Sequence, residues 1–130
     1  MLDLFSGTGS AADVFRRHNY KVTTVDVDVK MQPDIVADIL KSDYRVLPPG
    51  HYDIIFAAPP CTEYSQAMTS RPRDLKKADA IVRRTVEIIQ YFNPRRWFIE
   101  NPDTGLLKTL HIMDEFPSVR ADYCQFSPWG

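Results

Sequence analysis

An α/β fold built on a mostly parallel sheet is what this sequence predicts, and three observations carry that prediction. Residues 1–5 are a short apolar strand that runs into a glycine turn, Ser6-Gly7-Thr8-Gly9-Ser10, and then into helix-patterned residues 11–18. Strand-like runs recur over residues 21–27, 34–39, 52–56 and 95–102, with a long amphipathic helix over 75–92 before the last of them. The strand ends carry the polar chemistry: Asp26 and Asp28, Asp38, Pro59-Pro60-Cys61, and Glu100-Asn101. Open α/β sheets bind ligands along that carboxyl edge.

The glycine turn allows a tight reversal and lets a ligand approach the backbone without a Cβ in the way. It is GTG and not a complete GxGxxG, so alone it also fits a plain tight turn. The second strand is rich in β-branched residues (Val22, Thr23, Thr24, Val25) and reaches Asp26 about twenty residues beyond the loop, where such folds place an acid for ribose hydroxyls. Alternation puts Asp26 and Asp28 on one side of the strand, and Asp26 lies nearer the tip. Asp38 and Ile39 end the third strand as a polar acceptor beside an apolar wall, which suits an adenine ring. Residues 41–50 read as loop, closed by Pro48-Pro49-Gly50.

The run Tyr52-Asp53-Ile54-Ile55-Phe56 reads as a buried strand that the proline pair stops abruptly, presenting Cys61 at the sheet edge. A lone cysteine is more often a core thiol, but the loop context favours a reactive one. Arg71, Arg73, Lys76 and Lys77 follow, a cluster that fits either a solvated face or a phosphate grip. On the long helix, Ala78, Ile81, Val82, Val86, Ile89 and Phe92 form the sheet-facing stripe, with Arg83, Arg84 and Glu87 expected outward, and Pro94 ends it. Residues 104–113 are expected to be helical, and 118–126 to form a further strand.

The 130 residues make one domain, residues 1–130, with 44% hydrophobic and 25% charged residues. A net charge of −1 gives no global electrostatic argument for nucleic acid, which must rest on local clustering. Cys61 and Cys124 have no metal-ligand spacing, so no metal site is expected and a reducing cytoplasmic or nuclear compartment is preferred. No apolar run approaches membrane-spanning length and no signal peptide is visible, so neither membrane nor secretion is expected. The three histidines, His18, His51 and His111, are scattered.

Assembled in order, these motifs resemble the cytosine-5 DNA methyltransferase family over residues 2–102. Leu2-Asp3-Leu4-Phe5-Ser6-Gly7-Thr8-Gly9 is similar to the family's DLFSGxGG cofactor loop, and Pro60-Cys61 to its nucleophile motif. Glu100-Asn101 is similar to the Glu-Asn-Val motif, with Pro102 in place of the valine. The resemblance implies a Rossmann-like S-adenosylmethionine-dependent fold, incomplete at its C-terminal end, with S-adenosylhomocysteine as product. It implies cofactor contacts at Phe5, Ser6, Gly7, Thr8, Gly9, Asp26, Val27, Asp38, Ile39 and Pro60, and catalysis by Cys61 and Glu100. The family's PCQxFS is here Pro60-Cys61-Thr62-Glu63-Tyr64-Ser65, which adds a charge near the thiol, expected to point away from it. The basic Gln-x-Arg-x-Arg motif and the target-recognition region do not appear, which implies a fragment or a minimal form completed by a second polypeptide.

The implied chemistry needs these residue types. Carbon 5 of cytosine becomes nucleophilic only after a thiolate adds at carbon 6, and an acid near nitrogen 3 stabilises the charge. A base inside a duplex cannot reach such a pocket, so the DNA partner would present a flipped cytosine. The same chemistry on RNA cytosine is an alternative, as is an inactive cofactor-binding partner subunit. A nicotinamide enzyme would leave Cys61 and Glu100 without a joint purpose. An amino-directed methyltransferase would need no thiol after its prolines.

Overall fold

The computed structural model describes residues 1–64, 72–103, 105 and 107–122. Among these described residues five parallel strands form one sheet: β1 (Leu2–Leu4), β2 (Thr23–Asp26), β3 (Ile35–Val36), β4 (Ile54–Ala57) and β5 (Arg96–Ile99), in the order β3-β2-β1-β4-β5. Helix α1 (Ser10–Arg17) connects β1 to β2, and α2 (Leu75–Phe92) connects β4 to β5. The chain therefore leaves β1 in one direction and β4 in the other. Right-handed crossovers running in opposite directions place α1 and α2 on opposite faces. The reversal between β1 and β4 is a topological switch point, and the strand tips diverge there to leave a crevice.

Register explains which side chains make the core. Leu2 pairs with Thr23 and Ile55, Leu4 with Val25 and Ala57, and Ile55 with Trp97, so these residues share one face. Ile89 and Phe92 of α2 pack on it, as the helical spacing predicts, and so does Ile88, which the predicted stripe did not include. The opposite face carries Asp3, Thr24, Asp26, Phe56 and Phe98. Asp3 is buried, whereas Phe98 is 48% exposed.

Helix α2 has both caps that its sequence calls for. Asp74 Oδ1 accepts the Lys77 amide at 3.0 Å, and Asn93 adopts the left-handed conformation at φ 47°, with Pro94 next. The 41–50 connection contains a 3-10 turn, Tyr44–Val46, and rejoins the helix end where Gly50 N donates to Phe92 O at 2.8 Å. Strand β3 is shorter than the predicted 34–39, because Asp34 clasps β2 sideways instead: it accepts from Thr24 N and Oγ1 at 2.8 Å each, and its own amide donates to Thr24 Oγ1.

Three expectations are corrected. Residues 104–113 are not one helix: two 3-10 turns, Leu107–Thr109 and His111–Met113, occupy the described part, with Thr104 and Leu106 outside it. The apolar residues Leu107, Leu110 and Met113 recur every third position, the period that a 3-10 turn brings to one side. Residues 118–122 form no strand and are exposed, Val119 at 93%, while 123–126 lie outside the described residues. Arg84 does not simply point outward. It lays its guanidinium over Tyr44 and donates to Ile39 O at 2.9 Å and Ser42 O at 3.1 Å.

Candidate active site

A depression of about 430 Å3 opens at the switch point, walled by Asp3, Phe5, Ser6, Gly7, Thr8, Ser10 and Ala11 on one side and by Phe56, Ala58 and Glu100 on the other. The strand ladders continue past the strand ends and fix both rims. Ser6 N donates to Val25 O, Ala58 N to Leu4 O, and Glu100 N to Ala57 O at 2.8 Å.

The first rim is shaped by backbone conformation. Phe5, Gly7 and Gly9 all have positive φ, at 62°, 49° and 79°. No atom lies within 4 Å of where a Cβ on Gly7 or Gly9 would sit, so the glycines are there for conformation and not for lack of room. Phe5 holds the same region with a bulky side chain, a strained state of the kind that concentrates at functional sites. Asp26 supports the loop from β2: its Oδ2 accepts Gly7 N at 2.9 Å and its Oδ1 accepts Asp28 N at 2.9 Å. Each oxygen keeps a further lone pair for a ligand.

Asp3 was not singled out as a site residue, although an acid inside an apolar strand was the available signal. It is 1% exposed, and its Oδ2 has no hydrogen-bond partner among the described residues. Burial pushes its carboxyl up to about 6, against the lowering effects of the Ala12 amide and of Arg16. A lone buried carboxylate oxygen on the wall of a depression is a place for a donor or a cation.

The second rim is held by side chains. Glu100, half-buried, directly follows β5 and lines the depression beside Ala58. Asn101 Nδ2 donates to Pro59 O at 3.1 Å, joining the loop after β5 to the loop after β4. Cys61 stands in that second loop as a partly exposed free thiol and is not sealed in the core. Its carbonyl accepts Tyr64 N at 3.0 Å, closing a turn. Glu63 Oε2 accepts the Asp74 amide at 2.7 Å, so the extra charge is committed to the entrance of α2.

Of the ten residues expected at the cofactor, Phe5, Ser6, Gly7 and Thr8 line the depression. Gly9 caps α1, and Asp26 reaches the loop through Gly7. Asp38 binds the Leu40 amide and pairs with Lys41 at 3.8 Å, while Ile39 belongs to the core at 5% exposure. Val27 is 69% exposed, and Pro60 is exposed beside Cys61. Of the expected basic cluster, Arg73, Lys76 and Lys77 are exposed, and Arg71 lies outside the described residues, as does Cys124. Among the described residues no helix is long and apolar enough to cross a membrane, and no group of His, Cys, Asp and Glu could hold a metal ion.

The chain is 36% identical, over an alignment of 144 positions, to a probable DNA (cytosine-5)-methyltransferase of Frog virus 3 (isolate Goorha). That alignment takes in all of this chain and 65% of the relative, so the chain spans about two-thirds of the relative's length. The sequence model for C-5 cytosine-specific DNA methylases matches residues 1–114, from the glycine loop through both rims of the depression. This chain belongs to the C-5 cytosine-specific DNA methylase family.

Proposed function

We propose that this chain carries the cofactor and catalytic half of an enzyme that methylates carbon 5 of cytosine in DNA, with Cys61 as nucleophile and Glu100 as its acid partner. The observation that carries the proposal is the Asn101–Pro59 hydrogen bond, which joins the loops bearing Glu100 and Cys61 at one sheet edge. Family membership supports the reaction class.

The residues present fit S-adenosylmethionine. Asp26 offers lone pairs for ribose hydroxyls, and the unpartnered Asp3 oxygen suits the ammonium of an amino-acid end. Phe5, Ser6, Gly7 and Thr8 form the wall against which such a ligand would lie. When bound, S-adenosylmethionine supplies an electrophilic methyl group. Cys61, as thiolate, adds to carbon 6 of a flipped cytosine and forms a carbon–sulfur bond, which makes carbon 5 nucleophilic. Glu100 holds the ring at nitrogen 3, where the displaced charge collects. After carbon 5 is alkylated, a base removes its proton, the electron pair reforms the 5,6 double bond, and Cys61 departs as thiolate.

The test is covalent trapping on DNA containing 5-fluorocytosine, which lacks the removable proton, with the full polypeptide and cofactor. Cys61→Ser is expected to abolish the adduct, and Glu100→Gln to slow it by about 100-fold or more, in the usual range for removing a general acid. An adduct that survives Cys61→Ser would overturn the assignment. Parallel assays with RNA decide the substrate class, and S-adenosylhomocysteine binding without any adduct would favour an inactive cofactor-binding subunit.

A further inference from the structure

Resting on the assignment of Cys61 as nucleophile, we propose that Tyr64 and Asp79 are positioning residues that latch the Cys61 turn onto helix α2. Tyr64 is the largest of the most enclosed side chains among the described residues, at 1% exposure. It packs with Ala78, Val82 and Leu107, and its hydroxyl donates to Asp79 Oδ1 at 2.9 Å. A phenol placed that deep needs a partner, and Asp79 in the second turn of α2 supplies it. Burial and the neighbouring Asp79 carboxylate both raise the phenol well above its ordinary value, so Tyr64 stays a donor to Asp79.

The latch reaches the nucleophile by one covalent turn. Tyr64 N donates to Cys61 O at 3.0 Å, so the backbone that sets the thiol's direction is anchored to the buried ring three residues on. The other end of the turn is held through Pro59 by Asn101. Cys61 thus sits between a clasp to the β5 loop and a latch to α2, with Glu63 adding a contact to the Asp74 amide. At the position of Tyr64 the related nucleophile motif, PCQxFS, has phenylalanine, which has no hydroxyl. The hydrogen bond to Asp79 is therefore a feature of this chain that the ring alone does not provide.

Tyr64→Phe removes one oxygen and keeps the packing; Asp79→Leu removes the acceptor; Asp79→Asn keeps an acceptor oxygen. In the full polypeptide, adduct formation on 5-fluorocytosine DNA at saturating DNA and cofactor is expected to slow about 10-fold or more in Tyr64→Phe and Asp79→Leu, as sub-ångström misplacement of a nucleophile does. Asp79→Asn should stay within about 3-fold of the unmodified protein, and S-adenosylhomocysteine affinity should be unchanged in all three, a kcat effect without a cofactor-binding effect. The rate of Cys61 alkylation by iodoacetamide in the free protein should change in the same order. A normal adduct rate in Tyr64→Phe, with Cys61→Ser inactive, would overturn the latch and leave the nucleophile assignment standing. So would a loss in Tyr64→Phe that falls in step with cofactor affinity and melting temperature, the mark of a merely structural role. Activity retained in Cys61→Ser would overturn both.

Discussion

The two rims of the depression are built by different means. On the β1–β2 side the loop is shaped by its own backbone: positive φ at Phe5, Gly7 and Gly9, with Asp26 accepting amides from Gly7 and Asp28. On the β4–β5 side the loops are fixed by side chains that reach across 42 positions, from Asn101 to Pro59, and 15, from Tyr64 to Asp79. The first rim needs one reach of its own, the 19 positions from Asp26 to Gly7, but there a side chain only braces a loop whose shape is already set by positive φ. A rim made of distant side chains is as accurate as their packing. The first suits recognition of a constant ligand and the second a reaction centre set by several elements at once.

The largest expected effect that breaks this contrast is at Asp26. Asp26→Ala removes the acceptor of two loop amides together with the lone pairs proposed for ribose hydroxyls. Two hydrogen bonds to a charged group are together worth roughly 3 kcal/mol or more, so S-adenosylhomocysteine affinity should fall about 100-fold or more by calorimetry. Iodoacetamide should still alkylate Cys61 at its normal rate, because the other rim is held independently. If both change together, the rims are one cooperative unit and the contrast fails.

Asn101→Ala is the complementary cut and should be smaller. It frees Pro59 O and removes a buried amide oxygen that has no partner of its own. The adduct rate is expected to drop about 10-fold, close to the effect of one lost positioning hydrogen bond, with cofactor affinity unchanged. A loss of cofactor affinity comparable to the loss of rate would place Asn101 on the wrong side of the comparison.

The same contrast explains what could be read from the sequence. Gly7 and Gly9 are a local signal and Asp26, 19 positions beyond Gly7, stands at a recognisable spacing; the structure places Gly7 against Asp26 at 2.9 Å. The five strands, a mostly parallel sheet and the long helix were legible because period and breakers are local too, whereas the strand order was not. Tyr64 and Asp79 gave no such signal: a tyrosine after an acid, and an aspartate within a helix, look like surface residues until the fold brings them to 2.9 Å. Residues 104–113 failed for a related reason. Their apolar spacing fits a helical turn, and only the location of the Tyr64 cluster decides that three-residue turns satisfy it.

Asp3 gives the smallest effect on activity and the sharpest test of the first rim, because its burial brings its charge change to about pH 6. Burial raises its carboxyl from 3.8 to about 6, so the folded protein binds that proton more tightly than the unfolded chain does. The stability so gained is present below the unfolded value and is lost as pH rises through about 6, a loss of about 3 kcal/mol for a shift of that size. Denaturant unfolding across this range should show the decline in the ligand-free protein, and Asp3→Asn should flatten it. A cation beside the unpartnered Oδ2 favours the ionised form. S-adenosylhomocysteine should therefore bind with release of a proton near pH 6, and its affinity should rise from about pH 5 to 7. Calorimetry in buffers of different ionisation enthalpy measures that proton directly. Binding with no proton released, in a protein whose stability does show the decline, would mean that the ligand's cationic end lies elsewhere and that Asp3 serves only to hold the Ala12 amide at the start of α1.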